Sequence, residues 1–220
     1  MGAETSLQSV LGFVRALKRN NNRDWFQAHR DDYDVARAQF EDFVAALLHE
    51  LSRTEPLADV SPRDCIFRLN RDLRFSKDKT PYKPYMSAYI APGGRKSRRM
   101  GYYVHIEPGN TLLAGGLHEP DPRQLASWRA AIDRDPRPFK RVAAATAFRR
   151  TFGEVRGERL KTVPRGYPRD HPEADLLRLK SITVIRQVPD AQVTAPTFLH
   201  EALKTFKAMK PFLKYLESLS

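Results

Sequence analysis

The hydrophobic period of this chain changes twice along its length, and those changes restrict the fold more than any other feature. Near the start, Leu7, Val10, Leu11, Val14 and Leu17 recur at helical spacing. Thr5 or Ser6 stands where a helix cap belongs, and "NNN" at 20–22 ends the run. Tyr33, Ala36, Phe40, Phe43, Val44, Leu47, Leu48 and Leu51 then describe a long amphipathic helix. From Asp64 the period drops to two, and strands are expected. "MSAYIA" and "YYVHIE" flank "PGGRKSRR", which reads as a hairpin with a long basic tip, and "PGN" at 108–110 turns the chain into "TLLAGGL". Helical spacing returns at 122–134 and around 138–148. One late strand is expected at "SITVIRQV", 181–188, before a final helix over about 196–218 that Pro211 should kink.

Helices at both chain ends around a central antiparallel meander predict an α+β fold, with the helices packed on one face of the sheet. No linker, internal repeat or low-complexity run interrupts residues 1–220, so a single domain is expected. The chain has one cysteine, Cys65, which excludes an internal disulfide and a cysteine-rich zinc site. A buried strand cysteine is the expected reading of Cys65, given its neighbours Ile66 and Phe67. No apolar run reaches the length of a membrane span. The first twenty residues lack the charge and cleavage pattern of a signal peptide, so a cytoplasmic location without membrane contact is expected.

The net charge is +12, unevenly spread. Residues 1–60 carry 7 Lys or Arg against 10 acids, whereas residues 61–103 carry 11 against 3. Such a local field attracts anions. Its densest part is "FRLNRDLRFSKDKTPYKPY", residues 67–85. Read as a strand over 64–75, this stretch puts Phe67, Leu69, Arg71, Leu73 and Phe75 on one face, and Arg68, Asn70, Asp72, Arg74 and Ser76 on the other. Same-face residues lie roughly 6.6 Å apart on a strand, so Arg68, Asn70 and Arg74 would form a row of donors around Asp72. Arginine suits bidentate recognition of phosphate or carboxylate. Arg71, at the centre of the apolar row, calls for a buried carboxylate partner or a place in a pocket floor. Lys79, Tyr82 and Lys83 follow on a loop stiffened by Pro81 and Pro84.

"YYVHIE" contributes a second polar row of Tyr103, His105 and Glu107. His105, Glu107 and Asp72 are therefore the candidates for acid–base chemistry, and Arg68, Asn70, Arg71, Arg74, Lys79, Tyr82, Lys83 and Tyr103 the candidates for ligand binding. The plain alternative is a solvated sheet face with a hydrogen-bonded histidine. Gly115 and Gly116 would allow a ligand close to the backbone, or form a bulge. His118, Glu119 and Asp121 are ligand types without an established metal spacing, so no metal is expected, and no cofactor motif occurs.

The blocks "WFQAHRDDY", "IFRLNRDLRFSKDKTPYKPY", "YYVHIEPG", "GGLHEPD" and "GYPRDHPEADLLRLK" resemble, in order, those of the domain of unknown function 2461 family, whose signature runs F-R-x-N-R-D-x-R-F-S-x-D-K-x-P-Y-K. The resemblance extends from about Leu7 to Leu216 and implies one intact domain. It draws attention to Gly166, Tyr167, Asp170 and His171 as a secondary site, and it brings no catalytic residue with it. Three functions stay open. The first is binding of, or catalysis on, a small phosphate- or carboxylate-bearing ligand. The second is nucleic-acid binding through residues 61–103, with "GGRKSRR" and exposed tyrosines helping. The third is docking of an acidic protein partner. Acids interleaved among the cations favour the first, and the oligomeric state stays open.

Overall fold

The computed structural model describes residues 6–74 and 76–219. The first periodic run becomes α1 (Gln8–Arg19), which buries Val10, Leu11, Phe13, Val14 and Leu17. Asn22 caps the short α2 (Arg23–Ala28) by accepting from the Trp25 backbone N–H at 2.9 Å. Helix α3 (Arg30–Leu51) packs along α1 through Ala36, Phe40, Phe43, Val44 and Leu47. A single turn, α4 (Pro62–Cys65), precedes β1 (Met86–Ile90), β2 (Tyr102–Ile106) and β3 (Thr111–Leu117). Then come α5 (Pro122–Arg134), α6 (Arg137–Ala144), α7 (Thr146–Phe152), α8 (Ala174–Leu177), β4 (Ile182–Val188), α9 (Asp190–Val193) and α10 (Phe198–Glu217), which contains Pro211. The four strands form one antiparallel sheet in the order β1-β2-β3-β4, so the chain is α+β. Among the described residues, no helix is long and apolar enough to cross a membrane.

Contacts divide the chain into two compact units. The first is Met1–Arg98 with Tyr103–Leu113 and Gln187–Lys204; the second is Arg99–Tyr102 with Ala114–Arg186 and Thr205–Ser220. Strands β2, β3 and β4 each have residues in both. In the first unit Phe198 stacks on Phe43 at 5.2 Å between ring centres, in a core shared with Val10, Val14, Phe40 and Leu47. In the second, Trp128 is fully buried, meets the Phe139 ring edge-on at 5.0 Å and donates its indole N–H to the Leu176 carbonyl at 3.1 Å. Burial without an unsatisfied N–H is the usual condition for a core tryptophan.

The two glycines of β3 serve this second core. A Cβ on Gly115 would stand 2.3 Å from the Met209 sulfur, and one on Gly116, whose φ is +115°, 2.3 Å from the Ile182 carbonyl oxygen. Close packing of backbone explains them, and no ligand is needed.

The segment expected as a strand over 64–75 folds differently. Its start is helical: the Asp64 carboxylate accepts from the Ser61 backbone N–H at 3.0 Å and hydroxyl at 2.6 Å, and Pro62 supplies the fixed φ of a first turn. Beyond it the chain is extended but pairs only at two antiparallel bridges, Ile66 with Ala88 and Asn70 with Tyr82. The bridges are four residues apart on one segment and six on the other, so Pro84 and Tyr85 bulge out of the pairing. Pro81 and Pro84 have no N–H to give, which rules out a continuous ladder. The hydrogen bonds that do form are Phe67 N–H to Ser87 O, Lys83 N–H to Leu69 O and Arg71 N–H to Pro81 O. The alternation of faces nonetheless survives: Leu69 is buried, Phe67, Arg71 and Leu73 are half-buried, and Arg68, Asn70, Asp72 and Arg74 are exposed. Phe75 lies outside the described residues.

The basic hairpin tip is also less free than expected. It contains a 3-10 turn, Gly94–Lys96, in which Gly94 is buried against α4: a Cβ there would lie 2.6 Å from the Asp64 carbonyl oxygen. Arg95 donates to the Arg63 carbonyl at 2.5 Å.

Candidate functional site

The chemistry-bearing residues of the first unit gather around Tyr85, where the chain bulges from β1. Three residues spaced by two, Tyr103 and His105 on β2 and Glu107 just past its end, present a hydrogen-bonded chain. His105 Nε2 lies 3.1 Å from Glu107 Oε2, and His105 Nδ1 lies 3.2 Å from the Tyr103 hydroxyl. An ionised carboxylate only accepts, so Nε2 carries the imidazole proton and Nδ1 accepts from Tyr103 O–H. Lys18 donates to Glu107 at 2.8 Å and Asn110 at 3.0 Å. Burial pushes the Glu107 carboxyl up, but the hydrogen bonds from Lys18, Asn110 and His105 outweigh it and hold the group below its usual value. His105 is buried, and desolvation keeps its pKa below the ordinary histidine value although Glu107 pulls the other way. The neutral imidazole is therefore the resting form near pH 7, a proton acceptor already aligned by its carboxylate. The Tyr103 phenol is pushed up by burial, partly offset by a hydrogen bond from Ser87.

Aromatic rings cover this chain. Tyr85 lies over the His105 imidazole at 4.2 Å between centres, and Phe67 meets Tyr103 edge-on at 6.4 Å. The half-buried Lys83 places its Nζ 5.6 Å from the Phe67 ring centre and 6.0 Å from that of Tyr85. Arg71, Asp72, Lys83, Pro84 and Tyr85 line an open depression of about 370 Å³. Burial, and then the charge of Arg68, lower the Lys83 pKa. Among the described residues, the side chains of Arg68 and Lys83 make no hydrogen bond or ion pair with any other group.

The other cations of this stretch already have partners. Arg74 holds Asp72 in a fork, Nε to Oδ1 at 3.0 Å and Nη2 to Oδ2 at 2.6 Å, and this keeps Asp72 far below the usual carboxylate range. Asp72 is therefore a fixed anion and not a base. Arg71 is paired with Asp78 and donates to Thr80 Oγ1 at 2.5 Å and Ser76 Oγ at 3.2 Å; the carboxylate it was expected to need comes from its own loop and is exposed, not buried. Asp78 is held down to about 2 by Arg71 and by the Thr80 backbone and hydroxyl. Asn70 is exposed and shares a bridge with Tyr82. Lys79 donates to the Leu73 carbonyl at 3.2 Å and lines a different depression, with Asn21 and Arg23.

Tyr82 departs from the expected ligand contact. It is buried, and its ring stacks on Phe26 at 4.3 Å within an aromatic cluster that includes Tyr33 and Phe13. It anchors the loop. Asn21 anchors it from the other side, accepting from the Tyr82 N–H at 3.1 Å and donating to the Tyr82 carbonyl at 2.9 Å. Read from the sequence, "NNN" only ended a helix; nothing in its spacing announces a side chain that imitates a neighbouring strand. Lys18 and Ser87 were missed for the same reason, since each reaches the site across the fold and not along the chain, whereas Asn110 is local to Glu107 but read only as part of a turn.

Gly166, Tyr167, Asp170 and His171 belong to the second unit. Gly166 takes a φ of +98° in an exposed turn, and Asp170 is exposed. His171 spends both ring nitrogens locally, Nε2 on Asp133 at 3.2 Å and Nδ1 accepting from the Glu173 N–H at 3.0 Å. That turn is accounted for by its own hydrogen bonds. Asp121 caps α5, accepting from Arg123 and Gln124 N–H, each at 2.9 Å. Among the described residues no group of three His, Cys, Asp or Glu is placed to hold a metal. Cys65 is buried, and burial pushes its thiol up to about 11.

Among known proteins, a family model described as a conserved hypothetical protein matches residues 9–215. No curated protein and no solved structure matches the chain.

Proposed function

The chain belongs to the domain of unknown function 2461 family, and from that premise we propose that it binds a small phosphate- or carboxylate-bearing ligand against residues 67–85. The reading rests on one observation. Arg68 and Lys83 lie near enough for one charge to act on the other, Lys83 lines an open depression, and neither forms an ion pair among the described residues, although the Asp72 carboxylate held by Arg74 also feels the Arg68 charge. Two like charges held together, one of them half-buried, are unfavourable until an anion neutralises both. Asp72 and Asp78, the acids nearest in sequence, are occupied by Arg74 and Arg71. The Tyr103–His105–Glu107 chain lies behind the aromatic rings with both imidazole nitrogens hydrogen-bonded, so the reading is one of binding and does not rest on acid–base chemistry. A cytoplasmic location accords with an anionic metabolite as ligand.

The test is calorimetric titration with inorganic phosphate, pyrophosphate, nucleoside monophosphates and short carboxylates. Arg68→Ala and Lys83→Gln should each weaken binding of one class about tenfold or more, the cost of a lost charge-assisted hydrogen bond. Lys96→Ala with Arg98→Ala at the hairpin tip should leave that binding unchanged. Steeply salt-dependent duplex or single-strand binding lost in the tip variant would instead make nucleic acid the ligand and overturn the proposal.

A further inference from the structure

Lys83 combines three circumstances that rarely meet in a surface lysine. Its ammonium sits against the faces of Phe67 and Tyr85. Its side chain has no ion pair or hydrogen bond among the described residues. It also opens into the depression lined by Arg71, Asp72, Pro84 and Tyr85. The ring faces attract the ammonium, whereas its burial and the charge of Arg68 favour the neutral, nucleophilic amine. The loop cannot easily carry it away, because Pro84 follows it, its own N–H is bonded to Leu69 O, and Asn21 pins the residue before it.

We infer that Lys83 is a reactive amine that condenses reversibly with the carbonyl of a small oxo compound whose carboxylate or phosphate is held by Arg68. The inference rests on the anion-binding reading and names the ligand class for it. Unprotonated Nζ adds its lone pair to the carbonyl carbon, and the displaced π pair on oxygen takes up a proton, giving a carbinolamine. Loss of that oxygen as water leaves a protonated imine, so one ammonium and one carbonyl become one iminium and one water, with no change of oxidation state. The lowered pKa of Lys83 supports the first step by enlarging the unprotonated fraction at neutral pH.

The experiment uses the full chain with pyruvate, glycolaldehyde phosphate and, as an uncharged control, propanal, each trapped with sodium borohydride and located by peptide mass mapping. Reduced pyruvate or glycolaldehyde-phosphate adduct should concentrate on Lys83, several-fold above any other lysine. Arg68→Ala should diminish trapping of the two charged probes and spare that of propanal. Lys83→Arg, checked for an unchanged melting temperature, should abolish the selective adduct. Adducts spread over the exposed lysines, or Lys83 left unmodified, would overturn the inference. If calorimetry shows the charged probes bound while nothing is trapped, the amine chemistry is wrong and the anion site stands. If propanal labels Lys83 selectively but no anion binds, the anionic substrate class is wrong, and with it the proposed function.

Discussion

His105 shows how one residue's surroundings decide its proton. Its folded pKa lies below the unfolded value of 6.5, so the unfolded chain binds more protons in the window below that value. Stability therefore rises with pH there, is fully present above about pH 6.5, and is lost as pH falls toward the folded pKa. Glu107, also depressed, adds a loss of the same sign below its ordinary value of 4.5. Urea midpoints measured from pH 8 down to pH 5 should fall with acid, and His105→Gln should flatten that limb. An unchanged slope in the variant would show that other groups carry it. Glu107→Gln should push the His105 pKa lower still, since the carboxylate's charge and hydrogen bond favour the imidazolium; the imidazole proton resonances followed against pH would show the shift.

At the scale of elements, the site depends on a loop fastened to the α1–α2 turn by one side chain. Asn21→Ala should cost about 1–2 kcal/mol through two lost hydrogen bonds, and should remove the exchange protection of the Tyr82 amide while leaving the β1 amides protected. Gly116→Ala should cost about 2 kcal/mol or more, because a positive φ and a 2.3 Å approach to the Ile182 carbonyl act together. The regular elements were legible in the sequence because period and punctuation are local: Leu7 to Leu17, Met86 to Ile90 and Ile182 to Val188 fold as their spacing directs. The irregular segment 64–75 was not. Its alternation of faces is correct, yet two prolines in the partner stretch and an acid able to cap a turn override the strand that alternation suggests. Within the site, Tyr103, His105 and Glu107 were readable because they alternate along β2 and the residue that follows it. Lys18 and Asn21 were not, since no period links α1 or the turn after it to the end of β2 or to the loop.

For the molecule as a whole, residues 61–103 carry 11 cations against 3 acids, and although only Arg71, Arg74 and Arg99 of them are seen to hold an acid among the described residues, a small ligand meets just the few groups within hydrogen-bond reach. Salt should accordingly alter ligand affinity only modestly, with a slope set by Arg68 and Lys83 and not by the full charge. The strand order holds a consequence of another kind. Each strand pairs with the one before it, but β4 joins β3 only after residues 118–181 have been traversed. Closing so long a loop costs chain entropy before its contacts return any, so β4 should add to the sheet after the folding barrier is crossed. Val184→Ala would then quicken unfolding several-fold in stopped-flow chevrons and leave the refolding arm nearly in place, whereas Val104→Ala in β2 would slow refolding. Evolution of the second unit would thus bear on how long the folded protein lasts, and that of the early meander on how quickly it forms.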